Sequence, residues 1–522
     1  MTVTDRHLPR GALYLVIGQG TFLLIGYLLH AFLARSLTPA LYGVFGVVMV
    51  ILGWAEITVN NGVPSALQKY LPDAALSEFS VRRAAIRSQA VISVGVFLAL
   101  FLTAPLLANL LQSPHLTGYL RLAFLDILVM GAYAYYRGVL NGWRAFRQLS
   151  LTIAAYSLSK LVAIFLLVYA GFGVQGALVG NIVASFGGLV VGYLWIRRRE
   201  ARTKAAQQME LPSGGSDPAQ VRVSVSSAGG HDHPPDPATG KRLNRGQLLA
   251  FVLPAVLFTL ASNLLLGLDL MGVEAFVGDP DQVGYYAAAV NLANAPRLVL
   301  LAFSFALLPS LSHAISAQNM TQTRHYLQQT IRLLALVLLP ILALVTATAR
   351  PLVAFVFSAA YLPAAPILTV LIFAYASYTI YITLVTSLLA ENKPRQALTI
   401  PALLLPVAVV LVWLGIAKLG AMGAAFAALV SVGLAAIVVV VYVFHRFRPV
   451  LDVVSLIRIL LASLVVFGVA RLWMPSGLAL VLGYGLLAVL YLLLLLALRE
   501  FSPRDLALVR TWFSHSRSGT GA

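Results

Sequence analysis

The most regular feature of the chain is a succession of apolar runs of roughly 20 residues, separated by charge and by Gly/Pro punctuation. Fourteen such runs lie near residues 11–34, 42–63, 90–111, 117–140, 150–170, 175–196, 247–270, 284–311, 329–349, 364–390, 397–416, 421–444, 454–473 and 477–498. A bilayer core of about 30 Å is crossed by roughly 20 helical residues. Backbone in lipid must also satisfy its own hydrogen bonds, which favours helices. The pattern therefore predicts an all-α polytopic membrane protein with about 14 transmembrane helices. A β-barrel would show alternating segments of about ten residues, and none occurs. The first run is too long for a cleavable signal, and Pro401 and Pro406 interrupt the run at 397–416.

Composition agrees. The 522 residues are 60% hydrophobic and 10% charged, whereas a soluble domain carries roughly a quarter charged residues. With no cysteine, disulfides and thiolate metal sites are excluded. No P-loop is present, so the chain implies no nucleotide cofactor. His231, Asp232 and His233 are not flanked by a further ligand, so no metal is implied.

The net charge of +18 is explained by where the charges fall. With the N-terminus inside, 29 of the 36 Lys and Arg residues lie on the cytoplasmic side, 5 on the other, and 2 within spans. That split sets the orientation, with both termini cytoplasmic in the inner (plasma) membrane. Nucleic acid is not the expected partner, since no compact basic domain exists to carry it. The bilayer is.

Residues 197–245 break the pattern. They begin Arg-Arg-Arg-Glu and pass through Ser213-Gly214-Gly215-Ser216 to Pro234-Pro235. Such sequence cannot bury enough apolar surface to order itself, and it predicts a disordered cytoplasmic linker. The expected domains are thus 1–196 with six spans, the linker 197–245, 246–446 with six more, and 447–522 with two extra helices and a tail.

The two halves look related. Pro39 and Pro280, and Gly43 and Gly284, are each 241 residues apart. Six spans is an even number, so both lobes would insert with the same orientation. That is a parallel repeat, a feature of transporters.

Four ionisable residues fall inside spans: Glu56, Asp126, Lys160 and Arg297. Each costs about 3 kcal/mol on insertion scales and therefore suggests function. Glu56 and Arg297 also differ by 241, so one repeated position carries an acid in one lobe and a base in the other. If the lobes faced a shared cavity, Arg297 would hold an anionic substrate, with Asn291, Asn294 and Lys160 beside it. Glu56 and Asp126 are then candidates for coupling a cation. The alternative is structural ion pairing, for instance Lys160 with Asp126. Asn291, Asn294 and Arg297 follow at threes along one helical face. Asp126, Tyr133 and Arg137 share another, and Tyr375, Tyr378, Thr379 and Thr386 form a third stripe. Asp269 is expected to be hydrated at the outer end of its span. Gly176 and Gly180 suggest close helix packing.

Several segments carry a family resemblance. Leu33-Ala34-Arg35-Ser36-Leu37-Thr38-Pro39, Tyr42-Gly43-Val44-Phe45-Gly46, Arg137-Gly138-Val139-Leu140-Asn141-Gly142 and Gly284-Tyr285-Tyr286-Ala287-Ala288-Ala289 resemble the polysaccharide-biosynthesis oligosaccharide flippases. These belong to the multidrug/oligosaccharidyl-lipid/polysaccharide (MOP) exporter superfamily. The resemblance implies a V-shaped, MATE-like pair of six-helix lobes and a non-enzymatic transporter. It also implies flipping of a polyprenyl-diphosphate-linked glycan to the outer leaflet by alternating access. Glycosyltransferases or a polysaccharide polymerase would be partners, and the chain would act as a monomer. The N-terminal pattern of lipid II flippases is not evident, and multidrug exporters usually have twelve spans. Both count against those two branches, which stay as alternatives beside a membrane-embedded glycosyltransferase.

Overall fold

The computed structural model of the chain describes residues 8–72, 77–209, 245–295, 297, 311, 314, 315, 317–391, 393–448, 452–473 and 476–500. The described apolar runs fold as helices, and no strand occurs among the described residues. Among the described residues, ten helices are long and apolar enough to cross a membrane, a helix that continues through a kink being counted once.

Two of these ten, Phe146–Arg202 and Arg395–Phe447, reach 57 and 53 residues. At 1.5 Å per residue each would extend roughly 80 Å, far beyond a single crossing. Glycines break both. Gly171 and Gly173 have φ of +93° and +52°, and Gly420 has +58°, values in which a side chain is strained. The arms then pack on each other. A Cβ on Gly180 would lie 2.9 Å from the backbone N of Ile164, and one on Gly415 would lie 2.5 Å from the carbonyl oxygen of Gly423. Both are helical hairpins, and the close packing expected at Gly176 and Gly180 is made. Pro401 and Pro406 sit inside the second hairpin without ending it.

Contacts divide the chain into two compact units, Met1–Leu264 and Leu265–Ala522. The first contains α1 (Leu8–Ser36), α2 (Pro39–Asn61), α3 (Val63–Tyr70), α4 (Glu78–Leu110), α5 (Leu116–Phe124), α6 (Asp126–Gly142), α7 (Phe146–Leu167) and α8 (Gly173–Met209). Helix α9 (Arg245–Phe276) passes from the first unit into the second. The second unit holds α10 (Pro280–Ala293), α11 (Met320–Val356), α12 (Ala364–Ala390), α13 (Pro394–Phe447), α14 (Val453–Leu472) and α15 (Leu478–Ala497).

Glycine sets the centre of the first unit. Gly138 and Gly142 of α6 face α3 so closely that a Cβ would lie 2.9 Å from Pro64 Cα or from the Leu67 carbonyl oxygen. Around this contact Leu67, Val81, Tyr135, Val139, Ile153 and Ile196 form a buried cluster. In the second unit α14 and α15 pack on α11 through Ile459, Val466, Leu487, Tyr491 and Leu495. The opposite face of α15 leaves Leu482, Leu486, Val489 and Leu493 exposed. An apolar patch of this size is a lipid-facing surface.

The repeated prolines occupy matching places. Pro39 opens α2 behind the N-cap Thr38, and Pro280 opens α10 behind the N-cap Asp279.

The linker expected at 197–245 needs a correction at its start. Helix α8 continues to Met209, because Arg and Ala there are good helix formers and the arginines find partners. Arg199 stacks 4.4 Å from the Trp143 ring centroid, and Glu200 accepts from Arg82 at 2.6 Å. Residues 210–244, including His231, Asp232 and His233, lie outside the described residues.

Candidate functional site

The first unit gathers its polar side chains at one depth. Asp126 stands in the first turn of α6, where the positive end of the helix dipole favours a carboxylate. It is fully buried, and its Oδ2 accepts from Asn181 Nδ2 of α8 at 2.8 Å. Ser185, one turn further along α8, interacts with the same carboxyl, as does Glu56 of α2. Lys160 of α7 feels both acids, but no carboxylate oxygen comes within 4.0 Å of its ammonium among the described residues. It stands instead 5.8 Å from the Tyr156 ring centroid. The Lys160–Asp126 ion pair weighed as the structural alternative is therefore not formed.

Aromatic rings line this cluster. Tyr156 stacks on Tyr133 at 5.6 Å, and Arg137 lies 5.3 Å from the Tyr133 ring while donating to Asn60 Oδ1 at 3.2 Å. His30 of α1 pairs with the Tyr42 hydroxyl at 2.9 Å. Glu56, Arg137, Lys160 and His30 are each only partly buried.

The second unit holds the other predicted group. Asn291 and Asn294 lie at the end of α10, and Arg297 follows one turn later. Each carries a buried polar atom with no hydrogen-bond partner: Asn291 Oδ1, Asn294 Oδ1 and Arg297 Nε. The Arg297 guanidinium lies 5.6 Å from the ring centroid of Tyr378 on α12. Tyr375, Tyr378 and Thr379 are buried, as the stripe on that span suggests.

Asp269 departs from expectation. It is 2% exposed rather than hydrated. Its Oδ2 accepts from the Tyr286 hydroxyl at 2.7 Å and its Oδ1 from the Leu270 amide at 2.9 Å. Its Tyr partner lies across the turn that Pro280 opens, and such pairing cannot be read from position within a span. Asn181 and Ser185 escaped sequence reasoning too. Their spacing of four within an apolar run is the one signal that could have found them.

Comparison with known proteins defines the class. The fold matches the lipid II flippase MurJ in an inward closed conformation with a TM-score of 0.69, at 15% identity over 94% of this chain and 99% of that one. It matches an inward-facing multidrug resistance MATE family transporter of the MOP superfamily at 0.63, with 15% identity over 84% and 98%. A mutant of the Vibrio cholerae MATE transporter VcmN aligns at 0.55, with 18% identity over 85% and 97%. The chain is thus a multi-pass membrane protein whose fold is similar to that of MurJ and of the MATE transporters. Residues 8–315 match the polysaccharide biosynthesis protein family, and the chain belongs to it. No curated protein matches the sequence.

Proposed function

We propose that the chain is a flippase that moves a polyprenyl-diphosphate-linked oligosaccharide from the inner to the outer leaflet by alternating access. The observation that carries this reading is the orphaned set in the second unit. Arg297 forms no ion pair among the described residues, and its Nε, Asn291 Oδ1 and Asn294 Oδ1 lack partners. A guanidinium in a low-dielectric bundle without a carboxylate suits a diphosphate, which it binds through charge-assisted, bidentate bonds. The two amides suit sugar hydroxyls, which both donate and accept. Lys160 is the corresponding substrate-binding cation of the first unit, and Glu56 and Asp126 take a coupling cation.

Family membership supports a glycan cargo. Ten long helices, two of them hairpins, together with α1 and the crossing opened by α10, support fourteen spans. The matched prolines support a parallel repeat of two six-helix lobes with two further helices behind it.

Reconstitution tests the reading: leaflet transfer of a polyprenyl-diphosphate glycan is measured in proteoliposomes for wild type, Arg297→Ala and Arg297→Lys. Transfer is expected in wild type, partial in Arg297→Lys, and lost in Arg297→Ala at equal folded protein. Wild-type transfer of lipid II alone would favour the lipid II reading that the MurJ-like fold makes the nearest alternative. Drug efflux without glycolipid transfer would favour a multidrug exporter.

A further inference from the structure

Two prolines, Pro340 and Pro351, interrupt α11. A proline has no N–H, so Pro340 deprives the Leu336 carbonyl, four residues back, of its helical donor. Lipid supplies no water in its place, and a freed backbone group has to be met from a neighbouring helix. Here the donor comes from α15. The Tyr491 hydroxyl donates to the Leu336 carbonyl oxygen at 2.9 Å.

The same helix meets the second break. Thr348, three residues before Pro351, leaves helical geometry at φ −115° and ψ 20°. Its hydroxyl donates to the Leu344 carbonyl oxygen at 2.7 Å and lies 2.6 Å from the Tyr484 hydroxyl. Because the Thr348 proton is engaged with Leu344, Tyr484 is the donor in that pair. Tyr484 and Tyr491 stand seven residues apart, about two turns along one face of α15. Phenylalanine would fill the same space, so packing alone does not call for either hydroxyl.

A third tie fixes the register. After α15 the chain turns at Arg499, with φ of +54°, and Glu500 enters the bundle with its side chain 1% exposed. Arg332 of α11 donates to Glu500 Oε1 at 2.8 Å and to its carbonyl oxygen at 2.7 Å. Ser455 of α14 bonds the same Oε1. Arg332, Leu336 and Thr348 thus meet Glu500, Tyr491 and Tyr484 in antiparallel order.

We propose that α15 is a splint for α11: Tyr491 and Tyr484 close its two proline breaks while Glu500 holds the helices in register. An unsupported proline break is where a helix bends. Rocking transport needs bundles that move as bodies, and the last two helices supply that stiffness to α11. The inference goes beyond the transport reading above and holds whatever the cargo.

Hydrogen exchange read by mass spectrometry on the full-length protein in detergent tests it. Tyr491→Phe and Tyr484→Phe keep their rings, and each should speed amide exchange around its own break in α11 about fivefold. Amides of the α13 hairpin should keep the wild-type rate. Pro340→Ala returns an N–H to the Leu336 carbonyl, so Tyr491→Phe should have no effect in that background, whereas Tyr484→Phe should keep its own. If Tyr491→Phe alone does not fold, as read by thermal unfolding, Pro340→Ala should rescue it. The proposal is overturned by wild-type exchange across α11 in the Tyr484→Phe/Tyr491→Phe double variant, or by equal acceleration of α11 and α13. An effect of Tyr491→Phe, on exchange or on folding, that Pro340→Ala leaves unchanged overturns it as well.

Discussion

Asn181 of α8 and Asp126 of α6 share a 2.8 Å hydrogen bond although neither side chain is more than 2% exposed. It joins two helices at depth and orients the carboxylate around which the rest of the first unit's polar groups collect. A buried acceptor robbed of its donor loses more than the bond, because the desolvation penalty stays.

Asn181→Leu should therefore destabilise the protein by about 2–3 kcal/mol. Thermal unfolding in detergent reads this as a lowered midpoint. Asn181→Asp should be worse, since it adds a further carboxylate beside Asp126 and Glu56. A midpoint equal to wild type for both variants would contradict the bond's role.

The Tyr286–Asp269 pair makes a parallel case in the second unit. Tyr286→Phe removes the 2.7 Å donor to Asp269 Oδ2 while keeping the ring, at an expected cost of about 1–3 kcal/mol. Adding Asp269→Asn should recover part of that loss, because a neutral amide is cheaper to bury than an unpaired carboxylate. A double-mutant cycle reads the coupling directly.

Gly138 tolerates no side chain. A Cβ there meets Pro64 Cα at 2.9 Å, and backbone cannot swing aside as a flexible side chain does. Gly138→Val is expected to cost about 1–3 kcal/mol by overpacking and to reduce the yield of monodisperse protein. Gly433→Ala, where nothing lies within 4 Å, should express as wild type and serves as the comparison.

Glu391, in the turn after α12, gives a pH prediction. Burial alone pushes its carboxyl up, but hydrogen bonds from Lys393, Tyr442 and Arg446 outweigh that and hold it below the ordinary value of 4.5. A depressed folded value means the stabilisation is complete above the unfolded value and is lost as pH falls through the folded one. The unfolding midpoint of Glu391→Gln should thus lie below wild type near neutral pH. The gap should close progressively as pH drops below about 4.5. A gap constant across that range would mean that the carboxylate charge is not what holds the turn.

Much of the fold is legible in the sequence because lipid leaves the chain few choices. Runs such as 364–390 and 454–473 lie within a residue or so of α12 and α14, since apolar length and helical hydrogen bonding are the same constraint read twice. Isolated charges such as Asp126 and Arg297 announce themselves against that background. What stayed hidden depends on partners from other helices. Asn181 and Ser185 are ordinary helix residues until α6 brings a carboxyl to them. Asp269 looks hydrated until Tyr286 folds back across the turn. Residues 197–209 read as linker because composition alone cannot foresee Arg199 stacking on Trp143.

That last contact makes α8 a rigid post. The helix continues thirteen residues past Ile196, about 20 Å at 1.5 Å per residue. Met209 is thus carried about 20 Å along the helix axis from Ile196. A fluorescent or affinity module inserted there would follow an ordered helix of the first unit, making the position a natural handle for tracking that unit.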